Sequence, residues 1–468
     1  MSKIIDNTIK GKSFLDLIDA TTIRKFDIND NKEYSITEKY GVDLLVPRRI
    51  DLVAKYMLLL FKNKKIKSDL AKNVYRKHIE AFSDGRFYEP DSQTKTNYDA
   101  FLTEYDKLFH SIKKNSFNPK TSLIPVGNDG VIINGAHRVA ISIFLNSTVY
   151  LLDINDHSGP HYNYRYFTQR HLGENYLDFL TLNYMKITRR PTFVICLWPK
   201  ATSMNKLPEC ERLINRKTDV IYKKELPLKK LGLKNFMMHL YHTEKWVGAG
   251  KNNYVGAYGK ADSCYTKKSN TILYFVEAKN LDTILKLKED IRSIYNVGKH
   301  SVHITDTPEE AMLAANLTLN PNSVSVLNNG YPGKLNAKLD RLREYSTKTE
   351  RAILNPLYTL QYFGYTTEAV SEDFYDVSKL QKDVEYDINN FFYYRGFKFF
   401  SPEYAKELCN DKYRKEFDAI TQLNKISIKA KVKESFSKNL YKAKRTARFA
   451  LRKAGLLEPA RKIIRKTK

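Results

Sequence analysis

The sequence predicts a mixed fold of the α/β (α+β) class, and two observations support this prediction. A strand-like run, a turn and a helix-like segment follow one another between residues 122 and 144. After residue 190, short apolar runs alternate with longer segments of helical periodicity, which is typical of sheets covered by helices. A chain of 468 residues is long enough for several domains, and we place their boundaries at 1–187, 190–424 and 425–468.

The first domain is expected to be mostly helical as far as residue 115. Apolar residues at helical spacing predict helices at 46–62, 69–82 and 98–112. The apolar run Ser122–Val126 is followed by Asn128-Asp129-Gly130, a sequence typical of a hairpin turn. The next helix is expected to begin near His137.

The turn before that helix is the first candidate site, and it contains Asn134, Gly135, His137 and Arg138. A helix N-terminus offers unpaired backbone N–H groups to a phosphate, and glycine lets a ligand approach the backbone. Arg138 would add a bidentate contact. The alternative is an ordinary turn whose His-Arg pair faces solvent.

The run Phe109–Asp153 resembles the ParB/sulfiredoxin superfamily. The resemblance rests on a helix at 98–112, a strand, the Gly135-Ala136-His137-Arg138 turn, a second helix, and the strand Thr148–Leu152. It implies that Asn134, Gly135, His137 and Arg138 bind the phosphates of ATP or another nucleotide.

Two departures narrow what the resemblance implies. Ala136 stands where sulfiredoxins carry the cysteine of a Gly-Gly-Cys-His-Arg turn, so we expect no thiol chemistry. ParB proteins of DNA segregation have Glu-Arg in place of Ala136-His137, and they continue into a helix-turn-helix domain that the sequence after Asp153 does not show. The resemblance therefore favours the members of the superfamily that use nucleotides, which include small-molecule kinases.

The second domain, 190–424, begins with alternating strands and helices. Strands are predicted at 192–198, 220–226, 272–278 and 301–305, and helices at 235–246, 281–295 and 308–319. Thr307-Pro308-Glu309-Glu310 has the features of a helix start, with an N-cap threonine, a proline at the first position and a glutamate at the third.

The second candidate site lies at strand ends of this domain. Ligands of open α/β sheets bind at such ends. We expect Glu277, His303 and Asp306 to act in catalysis, with Asp306 also holding Mg²⁺. Lys279 and Arg292 are expected to contact phosphates. The interpretation that the residues alone favour is a structural one, in which Asp306 caps a helix and His303 is a half-buried strand residue.

A third candidate is the aromatic run 391–403, which precedes a segment that carries Lys412, Arg414, Lys415 and Asp418. It faintly resembles the C-terminal part of nucleotidyltransferase-fold proteins of bacterial surface-polysaccharide assembly. The Gly-Ser turn and the Asp-x-Asp metal pair of that family are not present in the sequence. The interpretation that we favour is a strand in an aromatic core, followed by a Ser-Pro-Glu helix cap.

Composition indicates a globular protein of a reducing compartment. Hydrophobic residues make up 42% and charged residues 28% of the chain, as in soluble domains. The longest apolar run, 56–61, is too short to span a bilayer, and the first residues lack the apolar segment of a secretion signal. The four cysteines have neither zinc-ligand nor disulfide-framework spacing; they are Cys196, Cys210, Cys264 and Cys409. We expect a cytoplasmic protein.

The net charge of +27 is concentrated in the tail, 425–468, which holds sixteen Lys or Arg and two acids. Apolar side chains from Val432 to Leu451 recur at helical spacing and define one face. A basic amphipathic helix is typical of proteins that bind an anionic membrane surface. We therefore expect residues 426–468 to contact the inner face of the membrane. The alternatives are a helix that packs on its own domain and one that binds nucleic acid.

The function that the sequence predicts is that of a nucleotide-dependent phosphotransferase or nucleotidyltransferase. Its acceptor is expected to be a small alcohol or sugar, that is, a small-molecule or glycan substrate of surface-polysaccharide biosynthesis. A ParB-like nucleic-acid-binding protein is one alternative, but the missing helix-turn-helix argues against nucleic acid as a partner. A non-enzymatic, membrane-associated scaffold with a regulatory nucleotide site is the other.

Deleting residues 426–468 should abolish binding to anionic vesicles and leave nucleotide binding unchanged. Attraction between basic side chains and anionic lipids is screened over about 8 Å at physiological salt. The full chain should therefore sediment with anionic vesicles at low salt, be released at high salt, and ignore neutral vesicles. Equal sedimentation of the truncated and full chains would exclude the tail as an anchor.

Overall fold

The computed structural model describes residues 3–66, 68–89, 94–329, 351–353, 374–376, 390–401 and 404–405. These residues form a mixed α/β architecture with three four-stranded sheets, so the predicted class is confirmed at this level. Within the described ranges no helix has both the length and the apolar character needed to cross a bilayer. Cys409, the segment from Lys412 to Asp418 and the basic tail lie outside the described residues.

The first sheet combines strands from both ends of the N-terminal region. Its strands are β1 (Lys3–Ile9), β2 (Tyr34–Tyr40), β3 (Ile124–Gly127) and β4 (Thr148–Ile154), in the order β1-β2-β4-β3. β3 and β4 are parallel, and the other neighbours are antiparallel. The segment up to residue 115 is mostly helical, as expected, but β1 and β2, which form the outer half of this sheet, were not predicted.

The helices of this region include the three that the sequence predicts. They are α1 (Ala20–Lys25), α2 (Asp51–Asn63), α3 (Leu70–Phe82), α4 (Tyr98–Asn115), α5 (Ala136–Leu145), α6 (Tyr164–Gln169) and α7 (Glu174–Ile187), with 3₁₀ turns at Lys12–Leu17 and Gly41–Leu44. Asn97 starts α4, because its side chain accepts a hydrogen bond from the Ala100 N–H at 2.9 Å.

The predicted hairpin after β3 is present only in part. Gly130 N–H donates to Gly127 O at 2.9 Å, which closes the turn, but Val126 and Ile132 form a single bridge. The chain then enters α5 instead of continuing as a strand. The order of helix, strand, turn, helix and strand is thus present, and membership of the ParB/sulfiredoxin superfamily stays a prediction.

The second sheet is antiparallel throughout. Its strands are β5 (Thr192–Leu197), β6 (Asp219–Leu226), β7 (Thr271–Glu277) and β8 (Val302–Ile304), in the order β6-β7-β5-β8. All four were predicted within two residues, but not their pairing. β5 runs antiparallel to both β7 and β8. The expectation of an open parallel sheet, on which the second candidate site was based, is therefore wrong.

Helices lie on both faces of this sheet. They are α8 (Pro199–Thr202), α9 (Leu207–Lys217), α10 (Lys230–Leu240), α11 (Val255–Cys264), α12 (Leu281–Tyr295), α13 (Pro308–Thr318) and α14 (Pro321–Asn329), with 3₁₀ turns at Lys245–Val247, Gly250–Asn252 and Gly298–His300. The helix predicted at 235–246 begins and ends earlier, as α10. Its last predicted turn is a separate 3₁₀ turn around Trp246.

Alternate side chains of β5 and β7 join two different buried clusters. Ile195 and Tyr274 pack with α9 and α12. Cys196 and Phe275 belong to the largest cluster, which also takes in α2, α7 and α13. Because that cluster contains buried residues from both sides of residue 190, the two predicted domains share a core.

The third sheet contains the aromatic run. Its strands are β9 (Arg351–Ile353), β10 (Phe374–Asp376), β11 (Phe391–Tyr394) and β12 (Phe397–Phe400), in the order β10-β9-β12-β11. β11 and β12 form a hairpin in which the rings of Phe392 and Phe399 stack with centroids 5.2 Å apart. The favoured interpretation as aromatic core is confirmed, but the run forms two strands.

Buried charges hold α2 and α3 together. Asp51 accepts hydrogen bonds from Arg49 Nε at 2.8 Å and from Lys55 Nζ at 3.0 Å, and Lys55 Nζ lies 3.0 Å from His78 Nε2. All four side chains are buried. Burial alone would raise the pKa of Asp51, but the charges of Arg49 and Lys55 outweigh it and hold that pKa well below its usual range.

The free energy of unfolding is expected to fall as the pH drops from about 6.5 to about 3, in part through His78. The pKa of His78 is near 6.5 in an unfolded chain, whereas burial and the charge of Lys55 lower it to about 3 in the fold. Between these values the unfolded chain binds the extra proton. The contribution of His78 is therefore complete above pH 6.5 and is lost toward pH 3, by up to about 1.4 kcal/mol per pH unit.

Urea unfolding of His78→Gln at several pH values checks this expectation. The variant should be less stable than the wild type at pH 7, and its stability should fall less steeply toward acid. His110→Gln is the matched control, because His110 is exposed on α4, and it should follow the wild type. Parallel curves for His78→Gln and the wild type would contradict the assignment.

Candidate active site

The turn at the start of α5 is shaped by Gly135. Its φ of +87° lies in the left-handed region, which favours glycine. A Cβ at this position would also lie 3.0 Å from Nη2 of Arg138. Arg138 therefore folds back over the turn instead of extending into solvent.

The polar side chains of this turn contact other parts of the protein. Arg138 Nη1 donates to Ser122 Oγ at 2.8 Å and to Leu123 O at 2.9 Å, and His137 Nε2 lies 2.9 Å from the Tyr75 hydroxyl. Asn134 donates to the Asp19 carboxylate and to Thr22 Oγ1. Burial lowers the pKa of His137 well below its usual range, so this ring is neutral at pH 7 and does not attract an anion by charge.

A large opening lies in the second predicted domain, beside β8. It is a cleft of about 1550 Å³ bounded by the end of α10, the Trp246 turn, α11, α12, β8, α13 and the β11–β12 hairpin. Pockets for one drug-sized ligand are typically about 300–1,000 Å³, so this cleft has room for two small substrates. His303, Asp306 and Arg292 line it, and these are three of the five residues predicted for the second candidate site.

Basic side chains outnumber acidic ones on the walls of the cleft. Its charged lining residues are Lys186, Glu244, Lys260, Lys288, Arg292, Lys299, Asp306, Glu309, Glu310 and Lys398. Lys288 is paired with Asp306 at 3.0 Å, and Lys260 Nζ donates to the backbone carbonyl of Lys299. Burial lowers the pKa of Lys260. With six basic and four acidic side chains, the walls of the cleft carry a net positive charge, which suits an anionic ligand.

Glu310 joins β8 to the start of α13. Its Oε1 lies 2.8 Å from His303 Nε2, and its Oε2 accepts a hydrogen bond from the Asp306 N–H at 2.8 Å. Thr307 is the N-cap of α13, as predicted, and accepts from the Glu310 N–H at 3.1 Å. The interpretation in which Asp306 caps the helix is wrong, because Thr307 takes that role and Asp306 pairs with Lys288.

The His303–Glu310 pair has the arrangement of a general base and its orienting carboxylate. Burial alone would raise the pKa of Glu310, but the hydrogen bond and charge of His303 outweigh it, so that pKa lies below its usual range. An ionised Glu310 accepts a hydrogen bond from Nε2–H of the neutral ring, which leaves the lone pair of the ring on Nδ1. Among the described residues Nδ1 of His303 makes no hydrogen bond, so a substrate can use it.

Aromatic rings hold the imidazole of His303 from two sides. Trp198 stacks on it with centroids 6.4 Å apart, and Tyr241 meets it edge to face at 4.7 Å. Trp198 is fully buried and Tyr241 half-buried. Packing of this kind restricts rotation of the ring, which keeps a catalytic base in one orientation.

The structure does not bring Glu277 and Lys279 into this cleft. Glu277 is 2% exposed and accepts from Tyr184 OH at 2.8 Å and from Thr188 Oγ1 at 2.7 Å. Its carboxylate thus ties the end of α7 to β7. Lys279 lines a separate depression with Arg190 and Lys217. The sequence placed them together with His303 because it gave no information on strand pairing.

Asp306, the side chain predicted to hold Mg²⁺, lines the cleft and is paired there with Lys288. Mg²⁺ is usually held by one or two carboxylates together with substrate phosphates. The Asp306 side chain is 48% exposed, so its oxygens are accessible. The described residues contain no group of three or more histidines, cysteines and acids close enough to bind a metal without such a substrate.

The cleft residues that the sequence did not predict as functional include Glu310, Tyr241, Trp246 and Lys288. Glu310 was assigned only to the helix start, although its position after His303 at a strand–helix junction was a possible signal. Trp246 precedes a glycine-rich segment with little hydrophobic periodicity, which often marks a binding loop. No sequence signal distinguishes Lys288 from the other lysines of α12.

Comparison with protein-family models, with curated proteins and with solved structures found no match to this chain. The function is therefore argued from the cleft and its side chains.

Arg138→Ala is expected to lower the free energy of unfolding by about 1.5–3 kcal/mol, the range for hydrogen bonds to charged groups. The substitution leaves Ser122 Oγ and Leu123 O without their donor. Urea unfolding measures the change, with Arg86→Ala, an exposed arginine, as the control. Unchanged stability with weakened phosphate binding would instead support the phosphate-binding turn.

Proposed function

We propose that the chain is a phosphotransferase or nucleotidyltransferase that uses the cleft beside β8 to transfer a phosphate-containing group to a hydroxyl acceptor. The observation that carries this proposal is the His303–Glu310 pair at the wall of a large cleft with an excess of lysine and arginine. A base, an anion-binding surface and room for two substrates are the parts that such a transfer needs.

Two buried polar atoms support a ligand on the α12 and α13 walls. Nε of Arg292 and Oδ1 of Asn316 are buried and make no hydrogen bond among the described residues, and both side chains line the cleft. Buried polar groups are usually satisfied. A ligand with both acceptors and donors, such as a phosphorylated sugar or a nucleotide, would satisfy them.

Each side chain has a role in this proposal. Nδ1 of His303 takes the proton of the acceptor hydroxyl, and the Glu310 carboxylate stabilises the imidazolium that forms. The acceptor oxygen forms a bond to a phosphorus of the donor while the P–O bond to the rest of the donor breaks, and that part leaves as a nucleoside diphosphate or as pyrophosphate. Arg292 and Lys299 hold the phosphate oxygens of the donor. When Mg²⁺ is bound with the phosphates, it neutralises their charge, and Asp306 is the side chain that would hold it. The resemblance noted for the sequence favours a sugar or small alcohol as acceptor.

His303→Gln should bind nucleotide like the wild type but lose at least about 100-fold in turnover, which is the lower end of what a positioned base contributes. Calorimetry with ATP, GTP, CTP and UTP in the presence of Mg²⁺ measures binding. Release or transfer of phosphate with a panel of sugars, followed by ³¹P NMR, measures turnover. If the wild type binds none of the four nucleotides, the proposal is wrong.

The Glu310→Gln variant tests whether the charge of Glu310 acts on the proposed base or whether this side chain only supports the fold. The amide can still accept from the Asp306 N–H but does not stabilise an imidazolium, so turnover should fall and its pH profile should shift. Glu209→Gln is the matched control, because Glu209 is an exposed glutamate in the first turn of α9 and lies outside the cleft. Equal turnover and pH profiles in the two variants would exclude a role for the Glu310 charge.

A further inference from the structure

Trp246 has an unusual position for so large an apolar side chain. It is 44% exposed, and it lines the cleft. The other large apolar side chains with comparable exposure in the described residues lie outside the cleft. Exposed aromatic surface at the rim of a pocket commonly marks a ligand contact.

The backbone under Trp246 is fixed although its ring is exposed. A Cβ on Gly256 would lie 1.7 Å from the carbonyl oxygen of Trp246, so only glycine allows the Trp246 turn to pack this closely on α11. The next residue, Val247, is buried. The turn therefore presents the indole from a rigid support, which reduces the entropy lost when a ligand stacks on it.

A series of aromatic rings connects Trp246 with the proposed base. The ring of Trp246 lies 5.1 Å from that of Tyr241, which in turn lies 4.7 Å from that of His303. The phosphate chain of a nucleotide can bridge this separation. Lys299 and Arg292, on the same cleft, supply positive charge for the phosphates between the two ends.

We propose that Trp246 is the stacking platform for the base of the nucleotide donor, with Tyr241 closing one edge. This inference rests on the proposed function, because it assigns a part of the same cleft. Stacking of a base on an aromatic ring is insensitive to which base is bound. The platform would therefore contribute affinity for nucleotides as a class.

Trp246→Ala should weaken binding of the preferred nucleotide roughly tenfold or more, since base stacking contributes about 1–3 kcal/mol and 1.4 kcal/mol corresponds to tenfold. Trp246→Phe keeps a ring and should restore most of the affinity. Binding of inorganic tripolyphosphate, which has no base, should be the same in both variants and the wild type. Tyr88→Ala, at an exposed ring outside the cleft, should change neither affinity.

Fluorescence gives an independent measurement, because the chain has two tryptophans and Trp198 is fully buried. Acrylamide should quench mainly Trp246, and the nucleotide should protect it while tripolyphosphate should not. Equal nucleotide affinity in Trp246→Ala and the wild type overturns the platform and leaves the proposed function standing. Protection by a sugar acceptor alone assigns the ring to the acceptor and also overturns it. Failure of the wild type to bind any of the four nucleotides or tripolyphosphate overturns both.

Discussion

The geometry of the cleft depends on the carboxylate of Glu310. One oxygen fixes His303 on β8, and the other accepts the Asp306 N–H just before α13. The same residue therefore completes a helix start and orients the proposed base. Loss of the whole side chain would release the ring and loosen the strand–helix junction that positions Asp306 beside Lys288. Because the fold and the proposed chemistry use the same side chain, only a substitution that keeps the shape of Glu310, such as Glu310→Gln, can separate these two roles.

The two predicted phosphate sites differ in whether their arginine has a donor atom that lacks a hydrogen-bond partner. In the turn before α5, Arg138 is committed to Ser122 Oγ and Leu123 O, and His137 is neutral and bonded to Tyr75. A ligand there would have to replace bonds that already exist. In the cleft, Arg292 Nη1 is paired with Glu289, but Arg292 Nε is buried without a partner among the described residues, so a ligand can add a bond that the protein lacks. This difference places the proposed chemistry in the second region.

The sequence predicted elements better than their arrangement. The helix at 281–295 has the predicted bounds, because its apolar spacing and its Asn280 N-cap are local signals. β1 and β2 were missed, since β2 pairs with β4, more than a hundred residues later, and β1 pairs with β2. Glu277 was grouped with His303 because both stand near strand ends. The structure shows instead that Glu277 is buried and accepts a hydrogen bond from Tyr184 of α7. Local patterns record propensity and capping, whereas a site assembled from distant segments depends on topology.

The surroundings of His303 favour transfer to a bound acceptor over reaction with bulk water. The ring is 6% exposed, and Trp198 and Tyr241 cover it from two sides. With Nε2 held by Glu310, the free edge of the ring is the edge that carries Nδ1. In the proposed reaction an acceptor hydroxyl would therefore approach along that edge, and the low exposure of the ring limits its contact with bulk water. Exclusion of water strengthens the charge interactions inside such a site and suppresses hydrolysis of the donor. The basic side chains reach the cleft from α11, α12 and the turn before β8, so the proposed donor phosphates would bind to elements other than β8, which carries the proposed base.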